Sequence, residues 1–203
     1  MIRALALLAA LSALPAQADD LPALYDVTGV AAGDVLNIRA EPSARAQVVA
    51  TLRPNTRGVE VVALSGTWGK VNTGEGVGYA SMTYLRRAGA GSWASLDLPL
   101  RCHGTEPFWG LTYDPVAGTA TLDEPETGKT ALPVTARWGI QPGSNLVALG
   151  ATGMTAVLRG AACSDGMSDN AFGLALDVFL TGETPDGPAS SRHLTGCCSL
   201  ARP

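Results

Sequence analysis

Along most of the chain, short apolar runs alternate with polar and turn-forming residues. In one such run Leu36 and Ile38 point to one side of a strand and Asn37 and Arg39 to the other. VLNIR, QVVATL, GVEVVAL, WGKVNT and GVGYASM read as successive strands within residues 25–85. A second series follows: FWGLTYD, GTATLDE, ALPVTARWGI, NLVALGA, MTAVLRG, FGLALDVFL and HLTGCC. Turn clusters separate the runs about every 8–12 residues. Glycine (24) and proline (13) are scattered throughout, helix signals are nearly absent, and the fold class is all-β. Between the two series lies RRAGAGSWASLDL, rich in Gly, Ala and Ser, which reads as a linker over residues 88–98. It separates a domain at 25–87 from one at 99–203.

The opening residues depart from this pattern. MIRALALLAALSALPAQADD has one positive charge at Arg3 and an apolar run from Ala4 to Leu14. Pro15 follows, and then the small residues Ala16-Gln17-Ala18. This is the layout of a secretory signal peptide over residues 1–18, cleaved after Ala18. The run falls short of the roughly 20 residues that span a bilayer, and no Cys near the cleavage point could accept a lipid. The expected location is periplasmic or secreted, where disulfides persist. Fourteen Lys and Arg against 18 Asp and Glu give a formal charge of −4, which offers no electrostatic case for nucleic acid or an anionic membrane. No later segment is apolar enough to span a membrane, and the expected state is a monomer.

The first domain reads as a small barrel of hairpins, with Val48, Leu52, Val59, Val61, Trp68 and Val71 as its core and a turn at Pro42-Ser43. Its LNIR..P stretch, the W-G-K-V strand and G-Y-A-S-M-T-Y-L together resemble a bacterial SH3 (SH3b) domain across residues 25–87. Tyr79 departs from that family, which commonly has Trp after the Gly, but keeps an aromatic ring. The resemblance implies a binding module for cell-wall peptides, without catalytic residues of its own. Trp68, Tyr79 and Tyr84 are the candidate ligand-binding aromatics. Trp68 and Tyr79 are expected to lie partly in the core, and Tyr84 is the better candidate for a groove. Asn37 and Arg39 are expected to make fold-fixing hydrogen bonds.

The second domain opens with LRCHGTEPFWGLTYDP. Pro107 belongs at the start or edge of a strand, because it has no N–H for a ladder. Phe108 and Trp109 must face opposite sides, one plugging a barrel and the other covering its outside or mouth. Glu106 is expected to accept backbone N–H groups at the strand entry. In AACSDGMSDNAFGL, Asp165 and Asp169 sit among turn formers whose short polar side chains close loops. Calcium would suit their oxygens, but the spacing does not fit a D-x-D-x-D-G loop with a distal Glu.

Four cysteines allow three pairings. Cys197 and Cys198 are adjacent, so on a strand they face opposite ways. That disfavours a shared zinc ion with Cys163 and His193, and it disfavours a vicinal bridge. Two pairings remain open on these grounds. Taken together, C-H-G-T-E-P-F-W, C-S-D-G-M-S-D and L-T-G-C-C resemble a family of uncharacterised bacterial envelope proteins. By a looser analogy they also resemble small META- or lysozyme-inhibitor-type β-barrels. Related chains can end in a single Gly-Cys while keeping the cysteine of the middle motif. The resemblance therefore implies Cys163–Cys197 with Cys102–Cys198, in an antiparallel barrel.

The residue set argues against catalysis. Bridged thiols cannot attack a substrate, and neither a G-x-S-x-G elbow nor an H-E-x-x-H motif occurs. Carboxylates for glycoside cleavage would have to come from Glu106, Asp165 and Asp169. The expectation is therefore a non-catalytic envelope protein, with no cofactor and no metal, that binds a cell-wall peptide or glycan or an envelope protein. Candidate ligand-binding residues are Trp68, Tyr79, Tyr84, Glu106, Trp109, Asp165 and Asp169. An inhibitor of a lytic enzyme is the second reading, and a cell-wall hydrolase the third.

Overall fold

A computed structural model describes residues 21–74, 76–184 and 187–201. The signal-peptide segment lies outside the described residues. The first eight strands are β1 (Ala23–Val27), β2 (Leu36–Arg39), β3 (Val48–Leu52), β4 (Val59–Val61), β5 (Ala63–Ser65), β6 (Trp68–Thr73), β7 (Gly76–Ser81) and β8 (Leu85–Arg87). They form a three-stranded sheet in the order β4-β1-β8 and a five-stranded sheet in the order β3-β2-β7-β6-β5. The run GVEVVAL, expected as one strand, is therefore two: β4 pairs with β1, β5 pairs with β6, and Val62 turns the corner between the sheets. Ala23, Tyr25, Val27, Leu36, Ile38, Val59, Val61, Val71 and Ala80 fill the space between them. Val48 is not among them. The β2–β3 register slips between Ile38 and Arg39, so Ala50 and Leu52 turn inwards while Val48 stays 42% exposed.

The remaining strands are β9 (Leu100–Thr105), β10 (Phe108–Asp114), β11 (Thr119–Glu124), β12 (Gly128–Trp138), β13 (Leu146–Ala151), β14 (Met154–Cys163), β15 (Phe172–Thr184) and β16 (Gly187–Leu200). They run antiparallel as a closed barrel in which β16 returns to pair with β9, so no edge is left open. Alternation decides what enters it. On β10, Trp109, Leu111 and Tyr113 point inwards, while Phe108 is 58% exposed. Cys198 faces the interior and is bonded to Cys102, directly opposite on β9, across the seam that closes the barrel. Cys197 faces the other way and is bonded to Cys163 at the bulged end of β14.

Residues 88–98 do more than connect. Ser92 caps a 3-10 turn at Trp93–Ser95, its hydroxyl accepting the Ala94 N–H at 3.1 Å. Trp93, Ala94 and Leu96 are buried in the second barrel's core, and the Leu96 carbonyl accepts a hydrogen bond from the Tyr113 hydroxyl at 3.0 Å. Gly160 is where the Trp93 ring lies: a Cβ there would meet the ring at 2.8 Å. The part from Trp93 to Leu96 is thus a plug, while Gly89 and Ala90 ahead of it are exposed.

The two barrels share more than this plug. Leu24 of β1 points away from its own sheet and joins the second barrel's core. Pro22 packs against Gly173, where any Cβ would collide with the proline ring. The Glu60 carboxylate of β4 accepts the Leu200 N–H of β16 at 2.9 Å.

Candidate functional site

Two concave sites hold most of the candidate residues. The first is a groove of about 500 Å³ on the outer face of the five-stranded sheet. β2 turns Leu36 and Ile38 inwards, which aims Asn37 and Arg39 into the groove. Trp68 and Ser81 sit opposite each other on β6 and β7, and Tyr84 follows on the 3-10 turn Met82–Tyr84. Asp34 completes the lining from the loop before β2. Trp68 is half-buried and Tyr84 is 40% exposed, so the two rings can meet a ligand while remaining anchored.

Arg39 spends one N–H on the Ala46 carbonyl at 2.7 Å and keeps the rest of its guanidinium fork. This is the fold-fixing bond expected of it. Asn37 makes no side-chain hydrogen bond with the described residues, contrary to expectation, because its partners would have to lie across the open groove. Tyr79 is half-buried on β7, paired with Arg39 on one side and Lys70 on the other, and does not line the groove. The groove therefore offers two aromatic rings together with an amide, a cation and a carboxylate. That mixture suits an extended peptide, whose backbone needs donors and acceptors and whose side chains need apolar contact.

The second site is an open cleft of about 480 Å³ on the outer face of the other barrel. His103, Glu106, Arg159, Asp165, Asp177 and Thr195 line it. Glu106 and Asp165 thus share one site. Trp109 lies beneath it, 5% exposed in the core, and reaches the surface only at a shallower neighbouring depression. Asp169 is outside the cleft, on the side of the loop that approaches Gly76 of the first barrel.

The two shared acids have different work. Asp165 accepts the Ser168 N–H at 2.9 Å, the Met167 N–H at 3.1 Å, the Ser168 hydroxyl at 2.8 Å and His103 Nε2 at 3.3 Å. The Ser168 N–H above all, with these others, holds its carboxyl well below the usual carboxylate range. An acid so stabilised as an anion closes a loop and cannot deliver a proton. Glu106, at the turn between β9 and β10, is exposed and accepts no hydrogen bond from the described residues, so the expected strand-entry role is not seen. A two-residue hairpin leaves its carboxylate beyond the last ladder pair, Thr105 with Phe108.

Sequence reading passed over His103, Arg159, Asp177 and Thr195 as cleft residues. Their shared signal was the outward position on a strand, which does not say which strands become neighbours. Among the described residues no group of three or more His, Cys, Asp or Glu could hold a metal ion, and no helix is long and apolar enough to cross a membrane. No cysteine is free.

No curated protein and no solved structure matches the chain. Residues 34–86, which contain the groove side chains from Asp34 to Tyr84, match the family model of the bacterial SH3 domain, and this part of the chain is a bacterial SH3 domain.

Proposed function

We propose that this is an extracytoplasmic, non-catalytic binding protein of the cell envelope, which takes a cell-wall peptide into the groove of its SH3 barrel. The observation that carries the reading is the groove itself, where Trp68 and Tyr84 share one lining with Asn37, Arg39 and Asp34. Two further features agree with it. All four cysteines are bridged, which fits an oxidising compartment and leaves no thiol nucleophile. Asp165 is held as an anion by its loop, which makes it a poor proton donor beside Glu106.

The test is retention on purified sacculi. Wild-type protein should co-sediment, and Tyr84→Ala should lose most of that retention while melting at the wild-type temperature. No retention of the wild type, or full retention of Tyr84→Ala and Asn37→Ala alike, would reject wall binding through this groove.

A further inference from the structure

The cleft on the second barrel carries features that neither stability nor the SH3 groove explains. The chain has two histidines, and both lie on this one outer face, each held by a carboxylate: His103 by Asp165 at 3.3 Å and His193 by Asp177 at 2.8 Å. Asp177 also accepts Arg159 at 2.6 Å. Arg159 is thereby paired with Asp177 and the Asp165 carboxylate is held by its loop, while Glu106 faces the opening without a partner among the described residues. The result is a polar surface of planar groups, with orientations fixed at His103, His193, Asp165 and Asp177 and with more carboxylates than cations. An anion entering it would meet three carboxylates, and a cation would find the inner two already engaged.

Beside this floor stands a flat ring with no core role. Phe179 is 45% exposed and stacks face to face on His193, with ring centroids 4.7 Å apart and planes 3° apart. The stack is held in register by the β15–β16 ladder, which pairs Phe179 directly with His193. Within the cleft, the Thr195 hydroxyl and the Glu106 carboxylate make no side-chain hydrogen bonds with the described residues, and Arg159 retains further N–H groups. On the rim Met167 is 68% exposed.

We infer that this cleft and the adjoining Phe179–His193 stack bind a neutral polyhydroxylated ligand, a short glycan. Sugars present alternating hydroxyl donors and acceptors around the ring edge and a patch of C–H on the ring face. The planar donors and acceptors match the edge, and the exposed aromatic ring matches the face. The cleft volume falls in the range of small-molecule sites, about 300–1,000 Å³. The inference does not rest on the groove reading, since it uses no residue of the first barrel.

The experiment titrates the full chain with N-acetylglucosamine tetramer and, separately, with glucose tetramer, followed by amide chemical shifts. Saturable binding of either is expected, with the largest shifts at Thr105, Arg159, Phe179 and Thr195. Phe179→Ala and Thr195→Val, both at surface positions, should each weaken it about tenfold, while Tyr84→Ala leaves it unchanged. Failure of both sugars to bind saturably would overturn the inference. Binding indifferent to both barrel variants, or lost in Tyr84→Ala, would overturn it as well. Sacculus retention lost only through Tyr84→Ala would leave the groove reading standing whatever the sugars do.

Discussion

Asn72 of the SH3 barrel grips the Ala171 backbone of the second barrel with both ends of its amide: Nδ2 donates to the Ala171 carbonyl and Oδ1 accepts the Ala171 N–H, each at 2.9 Å. The pair imitates one rung of a β-ladder between two bodies whose described strands ladder only within each body. Asn72→Ala leaves a backbone donor and acceptor unpaired in a half-buried seam, at a cost of about 1–3 kcal/mol. Asn72→Asp keeps the acceptor and loses the donor, so it should fall between wild type and alanine. Urea unfolding checks this order, and equal midpoints for all three proteins would mean that the seam is open to water.

Glu60 predicts a pH dependence. Burial at the seam pushes its carboxyl up to about 7, against the opposing pull of the Leu200 N–H. A carboxyl raised in the folded state favours folding while it is protonated. Its contribution is complete below the unfolded value near 4.5 and is lost as pH rises through about 7. The change is on the order of 1–3 kcal/mol. Glu60→Gln keeps an oxygen for Leu200 and removes the charge. Its advantage over wild type should be small at pH 5 and grow by pH 8; parallel stability curves across that range would count against the seam carboxylate as the source.

Trp93 tests whether the segment before β9 is a plug. Trp93→Ala should cost about 3–5 kcal/mol, as for other large aromatic deletions in cores. Gly160→Ala should also destabilise, because the new methyl meets the Trp93 ring. Near-wild-type melting of both variants would return this segment to the status of a connector.

Asp165 predicts an opposite pH trend at the cleft. Its carboxyl is lowered in the folded state, so the stability it contributes is present above its ordinary range and lost as pH falls through the folded value. Asp165→Asn should speed hydrogen exchange at the Met167 and Ser168 amides and leave exchange in the SH3 barrel unchanged. Unaltered exchange at those two amides would show that the loop is closed by other contacts.

Local pattern carried the architecture as far as local pattern can. Alternation placed Leu36 and Ile38 inside and separated Phe108 from Trp109, because side-chain direction on a strand depends only on parity. It failed at Val48, where a bulge resets the parity, and at GVEVVAL, where one apolar run serves two sheets. It failed again at Trp93, since a segment rich in Gly and Ala looks the same whether it is loose or closely packed. The groove is half legible: Trp68 and Tyr84 stand out as aromatics, while Asn37 reads as a fold residue because its openness depends on what stands opposite. The cleft was less so. Glu106 and Asp165 stood out as acids in turns, but His103, Arg159 and Asp177 meet through ladder registers that no neighbouring residue encodes.

β1 has no free face, since Ala23, Tyr25 and Val27 serve one core and Leu24 the other. The matched segment begins at Asp34, after that strand has ended. What the family model delimits and what folds are therefore different objects. Grafting residues 34–86 onto another scaffold would leave a stave of the SH3 barrel behind. A portable version of this domain has to start ahead of Pro22 and carry a polar residue in place of Leu24.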